Sequence, residues 1–351
     1  MATLRGALVP TMIIGATAFA AARRARQARR IDFRGRVVLI TGGSRGLGLL
    51  LARELADEGA RLALLARDEA TLERARIELV GRGAEVLTLP CDVGERDAVT
   101  AAVGQIVARY GQIDAVINNA GIIAAGPLEH MAVADYEAAM AAHFWGPLYV
   151  ILAALPHLRQ REGARIVNIA SVAGQLAIPH LTPYSASKSA LVGLSDGLRA
   201  ELAHVGIRVT TVNPGLLRTG SPPNATFKGN HRAEYALFAG LAALPLASID
   251  AQRAARQVLD ACRHGDAELT ITWQAKALIL AQTLAPGLVG ELLALTTRLL
   301  PGPTGPEGDE PRTGRESQSP FAPSPLTALS DRAARRNNEL GGSAVDGLAG
   351  G

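Results

Sequence analysis

Cysteine is scarce: the chain of 351 residues has two, Cys91 and Cys262. They lie far apart without metal-ligand spacing, so neither a disulfide framework nor a zinc site is indicated, and a reducing compartment is the natural fit. Charge of one sign is also in short supply. The net charge is +4, and it is local: residues 21–36 hold seven arginines (23, 24, 26, 29, 30, 34 and 36) against one acid, Asp32. The rest of the chain is slightly acidic. A nearly neutral body with one basic segment excludes a broad nucleic-acid surface. What the sequence does have is apolar mass, 48% of residues, enough for one large α/β domain with appendages.

Residues 7–22 are Ala-rich and uncharged, and the arginines follow directly. The run is slightly short of the roughly 20 residues that a spanning helix needs. A membrane anchor with its arginines on the cytoplasmic side satisfies the positive-inside bias and attraction to anionic lipid. A cleaved signal finds some support in Ala18-Phe19-Ala20, but the basic cluster sits on the wrong flank for export. A transit peptide and an Ala-rich helix lying on the protein remain open. The anchor is the favoured expectation, with the catalytic domain cytoplasmic and residues 1–30 as anchor plus basic segment.

After this segment the chain alternates short apolar runs with helical patterns. Strands are expected at 36–40, 61–66, 85–89, 113–117, 165–170, 207–212 and 268–272. Helical stretches separate nearly all of them, as in parallel βαβ units with right-handed crossovers. The fold expected over 31–275 is therefore α/β, a Rossmann-type doubly wound parallel sheet of about seven strands flanked by helices. Between the first strand and its helix lies Thr41-Gly42-Gly43-Ser44-Arg45-Gly46-Leu47-Gly48. Glycines 42, 46 and 48 permit a tight turn, close approach to a pyrophosphate and close helix packing, and the helix N-terminus offers amide donors to phosphates. The second strand ends at Ala66-Arg67, with no acid to bind ribose hydroxyls. Arg67 and Arg45 together suit a 2′-phosphate, so the cofactor expected is NADP(H) rather than NAD.

Tyr184-Ser185-Ala186-Ser187-Lys188 carries the chemistry, with Ser171 upstream. On a helix over 184–204, Tyr184 and Lys188 share a face one turn apart. A phenol titrates near 10, and a fixed ammonium nearby favours phenolate, drawing it toward the range where acid–base catalysis works best. A serine hydroxyl can hold the substrate oxygen whose proton the phenol gives or takes.

Region 34–272 resembles the short-chain dehydrogenase/reductase family. The shared landmarks are Thr41-Gly42-x-x-x-Gly46-x-Gly48, Asp92-Val93, Asn118-Asn119-Ala120-Gly121, Ser171, Tyr184-x-x-x-Lys188 and Pro214-Gly215-x-x-x-Thr219, in order and spacing. The resemblance implies that Asp92, with Val93, contacts the adenine, that Asn118, Ala120 and Gly121 shape the cofactor cleft, and that Thr219, after Pro214 and Gly215, bonds the nicotinamide carboxamide. It implies that Lys188 holds the nicotinamide ribose, that Ser171 positions a carbonyl and that Tyr184 supplies the proton. It also implies a homodimer or homotetramer through the helices carrying His143 and Tyr184. The family's usual asparagine in the helix after the fourth strand is replaced by His143, for which a proton-relay role and a packing role are both open.

Residues 216–248 read as a substrate-covering lid, whose Phe227, Tyr235 and Phe238 either suggest a bulky lipophilic substrate or simply pack on the core. Residues 276–300 are apolar and broken at Pro286-Gly287, with Leu288, Leu292, Leu295 and Leu299 on one helical face. They are expected either to cap the cleft or a dimer surface, or to touch a membrane. From 301 to 351, the Pro-, Gly- and Ser-rich composition predicts disorder. The expected activity is carbonyl–alcohol interconversion on a steroid, retinoid, fatty aldehyde or 3-ketoacyl type of substrate; a non-catalytic NADP(H)-binding sensor is the alternative. No metal is expected.

Overall fold

The structure is a computed structural model and describes residues 20–244, 248–320, 322–324 and 327–340. Seven parallel strands form the central sheet: β1 (Val37–Thr41), β2 (Arg61–Ala66), β3 (Val86–Pro90), β4 (Ala115–Asn118), β5 (Arg165–Ile169), β6 (Arg208–Pro214) and β7 (Glu268–Ile271). Their spatial order is β7-β6-β5-β4-β1-β2-β3. β1 pairs with both β2 and β4, so the strand order reverses there, and a crevice opens beyond the strand ends.

The inner strands are buried on both faces. Val37 to Ile40 and Ala115 to Ile117 are fully enclosed, which is why they read as continuous apolar runs and not as an alternation. On one face, Val38, Ile40, Leu62 and Leu64 pack with Leu49–Ala52 and Leu55 of α1 (Gly46–Asp57) and Val258 and Leu259 of α8 (Ala251–His264). On the other face, Val37, Leu39 and Val116 pack with Val103 and Ile106 of α3 (Arg96–Tyr110) and Val150, Ile151 and Ala154 of α5 (Gly146–Leu158). α2 (Glu69–Gly81), whose N-cap Asp68 accepts from Thr71 N–H, links β2 to β3.

α4 (Val133–Met140) runs into α5 through a π-helical turn, Ala141–Trp145. The combined run Val133–Leu158 is the one helix among the described residues long and apolar enough to cross a membrane by composition. Here its α5 half covers the sheet. α6 (Thr182–Leu202) lies beside it.

The basic N-terminal segment docks on the domain. Residues 20–28 are helical, and Arg26 pairs with Asp266 at 2.7 Å and with Asp260 at 2.6 Å. Arg165 donates to Arg29 O at 2.5 Å. Arg23, Arg24 and Arg30 stay exposed. Of the apolar run 7–22, all but the last three residues lie outside the described ones.

Two open points are decided in the C-terminal third. The lid aromatics turn inward: Phe227 and Tyr235 are buried in a cluster with Ala125 and Ala239, after which they expose no apolar ring to a substrate. Of the stretch after 301, for which disorder is expected, residues 301–320, 322–324 and 327–340 are placed against the domain; 321, 325, 326 and 341–351 lie outside the described residues. Arg312–Thr313 pairs antiparallel with Thr226–Phe227, extending the small lid sheet. His130 Nδ1 meets Asp309 at 2.7 Å, while its Nε2 accepts from Thr304 N–H. α11 (Ala328–Arg336) packs Ala333 and Ala334 inward. This order comes from pairing with distant elements, which composition cannot register.

The apolar stretch 276–300 forms α9 (Trp273–Leu284) and α10 (Pro286–Thr297), broken at Ala285 before the proline. Val289 and Leu293 pack on Val172 and Leu176, just beyond Ser171. Leu288, Leu292, Leu295 and Leu299 face outward. One face thus caps the region beside the candidate site, and the other stays uncovered.

Candidate active site

Ser171, Tyr184, Lys188 and His143 meet at the carboxyl ends of β4 and β5. Ser171 follows β5 as the N-cap of a short 3-10 turn, its Oγ accepting from Ala173 N–H at 3.1 Å. Tyr184 and Lys188 stand one turn apart on α6, the Lys188 ammonium 5.7 Å from the centre of the Tyr184 ring. Gly174 lets the strand-end turn press against α6: a Cβ there would lie 2.8 Å from Lys188 O.

Burial governs the electrostatics. The Tyr184 phenol is pushed above its ordinary value by burial, and the hydrogen bond with Ser171 opposes this. Burial also lowers Lys188 to about 7. Its ammonium donates to Ile169 O at 2.7 Å. The expectation that the lysine draws the phenol downward is thus outweighed in this closed arrangement, where desolvation disfavours both charged forms. The phenol is held protonated.

His143 is fully buried, its ring edge-on to Tyr184 at 5.3 Å. Its Nε2 accepts from Ile122 N–H at 3.1 Å and its Nδ1 lies 2.8 Å from Ser187 Oγ. Ser187 Oγ spends its own proton on Tyr184 O at 2.9 Å. His143 Nδ1 must therefore donate and Nε2 accept, which is one neutral tautomer, and burial holds the imidazole well below its usual value. With both nitrogens committed, relay through the imidazole has no open atom. His143 instead ties the loop after β4 to α6. Gly121 gives it room, since a Cβ there would stand 2.9 Å from His143 Nε2.

The turn after β1 is held by its neighbours across the sheet. Thr41 Oγ1 accepts from the N–H groups of Asn119 and Ala120, both at 3.0 Å. Asn119 Nδ2 donates to Thr41 O and Gly42 O. A Cβ on Gly48 would lie 2.1 Å from Gly42 O, so only glycine fits there. Gly46 has φ +56°, left-handed backbone that glycine takes without strain. Ser44 is buried, with Oγ 3.1 Å from Thr71 Oγ1. Arg45 donates to Asn224 Oδ1 at 2.7 Å; its guanidinium is lowered first by burial and also by neighbouring Arg67. Arg67 is mostly exposed, 3.9 Å from Asp92, whose Oδ1 accepts from Gly94 N–H.

Other sequence candidates serve mainly as framework. The Leu47 and Val93 side chains are buried in the core, and Val93 packs on Gly146. Asn118 Nδ2 donates to Asn168 Oδ1 at 2.8 Å, and Asn168 Nδ2 to Ser195 Oγ, a chain tying β4 to α6 through β5. Asn118 Oδ1 is buried without a partner. Pro214 and Gly215 end β6, and Thr219 Oγ1 lies 2.6 Å from Ser221 Oγ. Sequence reasoning did not reach Ser187, Asn168 or Ser195, because isolated serines and a mid-strand asparagine carry no spacing signal.

These residues fit a dinucleotide. The turn combines a backbone no side chain could enter, amides at a helix N-terminus, and two neighbouring cations, Arg45 in the turn itself and Arg67 after β2.

The pattern of the family described as short chain dehydrogenase matches residues 36–226. An uncharacterized oxidoreductase of Mycobacterium tuberculosis is 37% identical over 191 residues, 53% of this chain and 56% of that protein. The chain thus matches little more than half the length of that relative. An oxidoreductase named SadH from the same organism is 33% identical over 249 residues, 70% of this chain and 90% of SadH. Among solved structures, levodione reductase aligns with TM-score 0.61 and 29% identity, over 70% of this chain and 99% of that one. The family uses nicotinamide cofactors. With a seven-stranded parallel sheet and the glycine turn and Tyr184/Lys188 pair at its carboxyl edge, this chain belongs to the short-chain dehydrogenase/reductase family of oxidoreductases.

Proposed function

We propose that the protein is an NADP(H)-dependent oxidoreductase that interconverts a carbonyl and an alcohol on a lipophilic substrate, in the reducing direction under cellular NADPH. The observation that carries this is the convergence of Ser171, Tyr184 and Lys188 at the carboxyl edge of the sheet, with the Lys188 ammonium 5.7 Å from the centre of the Tyr184 ring. A bound nicotinamide cofactor would supply the hydride. Ser171 Oγ orients the carbonyl oxygen, and the protonated Tyr184 phenol gives its proton to that oxygen. Lys188 restores charge balance beside the phenol and holds the nicotinamide ribose. The surrounding apolar cover, with Val172, Leu176 and Val289, keeps water from the reacting atoms.

The amides of Ser44, Arg45 and Gly46 would hold the pyrophosphate. Arg45 and Arg67 would share a 2′-phosphate, and their proximity supports NADP(H) over NAD. Asp92 would meet the adenine and Thr219 the carboxamide. The outward leucines of α10 support membrane association with the catalytic domain on the cytoplasmic side, where a substrate of steroid, retinoid, fatty aldehyde or 3-ketoacyl type would partition. A homodimer or homotetramer through the helices carrying His143 and Tyr184 completes the reading.

NADPH oxidation by purified protein against a panel of lipophilic carbonyls tests it. Turnover that disappears in Tyr184→Phe while NADPH still binds supports the assignment. Equal turnover in that variant removes Tyr184 as the proton donor, and binding without turnover across the whole panel leaves a cofactor-binding protein that is not an oxidoreductase.

A further inference from the structure

The turn that suits a pyrophosphate already has a partner in this chain. Directly after α11, Asn337, Asn338 and Glu339 run along it. Gly46 N–H donates to Asn337 O at 3.0 Å. Asn338 Nδ2 donates to Ser44 O at 2.8 Å and Thr71 O at 3.0 Å, while its Oδ1 accepts from Arg74 at 2.7 Å. With a left-handed φ of +57°, Asn338 bridges the turn at Ser44 to Thr71 and Arg74 on α2. Glu339 is buried, and its carboxyl group accepts from Gly220 N–H. It fills the space over Gly46, where a Cβ would come within 2.9 Å of its Oε1. Arg53 fastens the approach, donating to Asn337 Oδ1 and Arg336 O.

The segment reaches from Ser44 and Thr71 to Gly220, next to Thr219. That is the path a dinucleotide would take from its adenosine half to its nicotinamide half. The Glu339 carboxyl group lies over Gly46 at the start of α1, near Arg45, and accepts from Gly220 N–H, in the volume a phosphate group would fill. The segment and a dinucleotide claim the same amide at Gly46 and the same volume above it.

We propose that residues 328–340 act as an intramolecular competitor of the dinucleotide, the Glu339 carboxyl group occupying the place of a phosphate, so that cofactor binds only when the segment leaves. The proposal rests on the cofactor reading above. The docked segment removes a fraction of the molecules from the binding-competent state, and the apparent dissociation constant rises in inverse proportion to the fraction that remains. The apolar share of the contact is small, chiefly Ala333 and Ala334, so the contact is mostly polar and open to exchange.

Two measurements on the full chain test this. In fluorescence titration with NADPH, the Asn338→Ala/Glu339→Ala double variant is expected to bind at least tenfold more tightly than wild type. In limited trypsin digestion of the wild type, saturating NADPH is expected to speed cleavage at the exposed Arg335 and Arg336. Equal affinities, with cleavage unchanged or slowed by NADPH, overturn the competitor while leaving the cofactor reading intact. If neither wild type nor variant binds NADPH or NADH, the cofactor reading falls, and the competitor with it.

Discussion

His143 Nδ1 donates to Ser187 Oγ at 2.8 Å, and that serine donates to the backbone carbonyl of Tyr184 at 2.9 Å. An imidazole that could pass for a catalytic base is thereby a strut holding the catalytic turn of α6. Replacing it with alanine removes the acceptor of the half-buried Ile122 N–H and opens a cavity. The expected cost is about 2–4 kcal/mol, from an unsatisfied donor and lost packing together, read as a fall in denaturation midpoint. The pH profile of residual turnover should keep its shape. A lost acidic limb would instead mark His143 as a proton carrier.

Tyr184→Phe removes the acid without changing the ring's contacts. Turnover should fall by roughly 10²–10⁴-fold, the range for a positioned general acid, with the NADPH dissociation constant within about twofold of wild type by titration.

Arg67 is exposed and only loosely paired with Asp92, an interaction worth little on its own. Arg67→Ala should therefore leave the melting temperature nearly unchanged. It should weaken NADPH by roughly 10-fold or more, as expected for one charge-assisted contact, with NADH barely affected. Equal loss for both dinucleotides would place Arg67 away from the 2′-phosphate.

Burial raises Glu339 to about 8. A carboxyl so raised on docking favours the docked segment fully below its free value near 4.5 and loses that advantage as pH climbs through 8. Arg45 is the charged side chain that acts on it, and Arg315 donates to its backbone carbonyl. NADPH affinity of wild type should thus improve from pH 5.5 to 8.5 relative to Glu339→Ala. Parallel affinities at every pH would contradict this.

Lys188 gives the opposite slope. Burial lowers it to about 7 from an ordinary 10.5, so between those values the unfolded chain binds more protons and stability rises with pH. Below 7 the full cost of burying the ammonium is present. Urea denaturation of Lys188→Met should show a flatter pH dependence between 7 and 10 than wild type.

Much of this was legible in the linear chain because its physical causes are local. Continuous apolar runs marked the strands buried on both faces, with ends within about two residues of those observed, as at 61–66. Glycine at 42, 46 and 48 announced a backbone that must turn sharply and admit a close neighbour, and Tyr184 and Lys188 announced a shared helical face. Family resemblance, carried by residue spacing, supplied the roles.

Contacts between distant segments were not legible. Composition predicted disorder after 301, yet Asn337 to Glu339 lie in the glycine turn nearly 300 positions away, held by single hydrogen bonds that leave no periodic trace. Phe227 and Tyr235 read equally as lid surface or as core and proved to pack inward, since which way a ring points depends on neighbours the sequence does not name. The sign of the Tyr184 shift also waited on the fold: lysine spacing argues for a lowered phenol, and desolvation raises it. Sequence alone determined the sheet, the turn and the reactive pair, because backbone propensity and side-chain period act over a few residues. Tertiary structure alone decided the tautomer of His143, the protonation of the phenol and the occupant of the turn, because hydrogen-bond partners and dielectric are set by whatever folds against them.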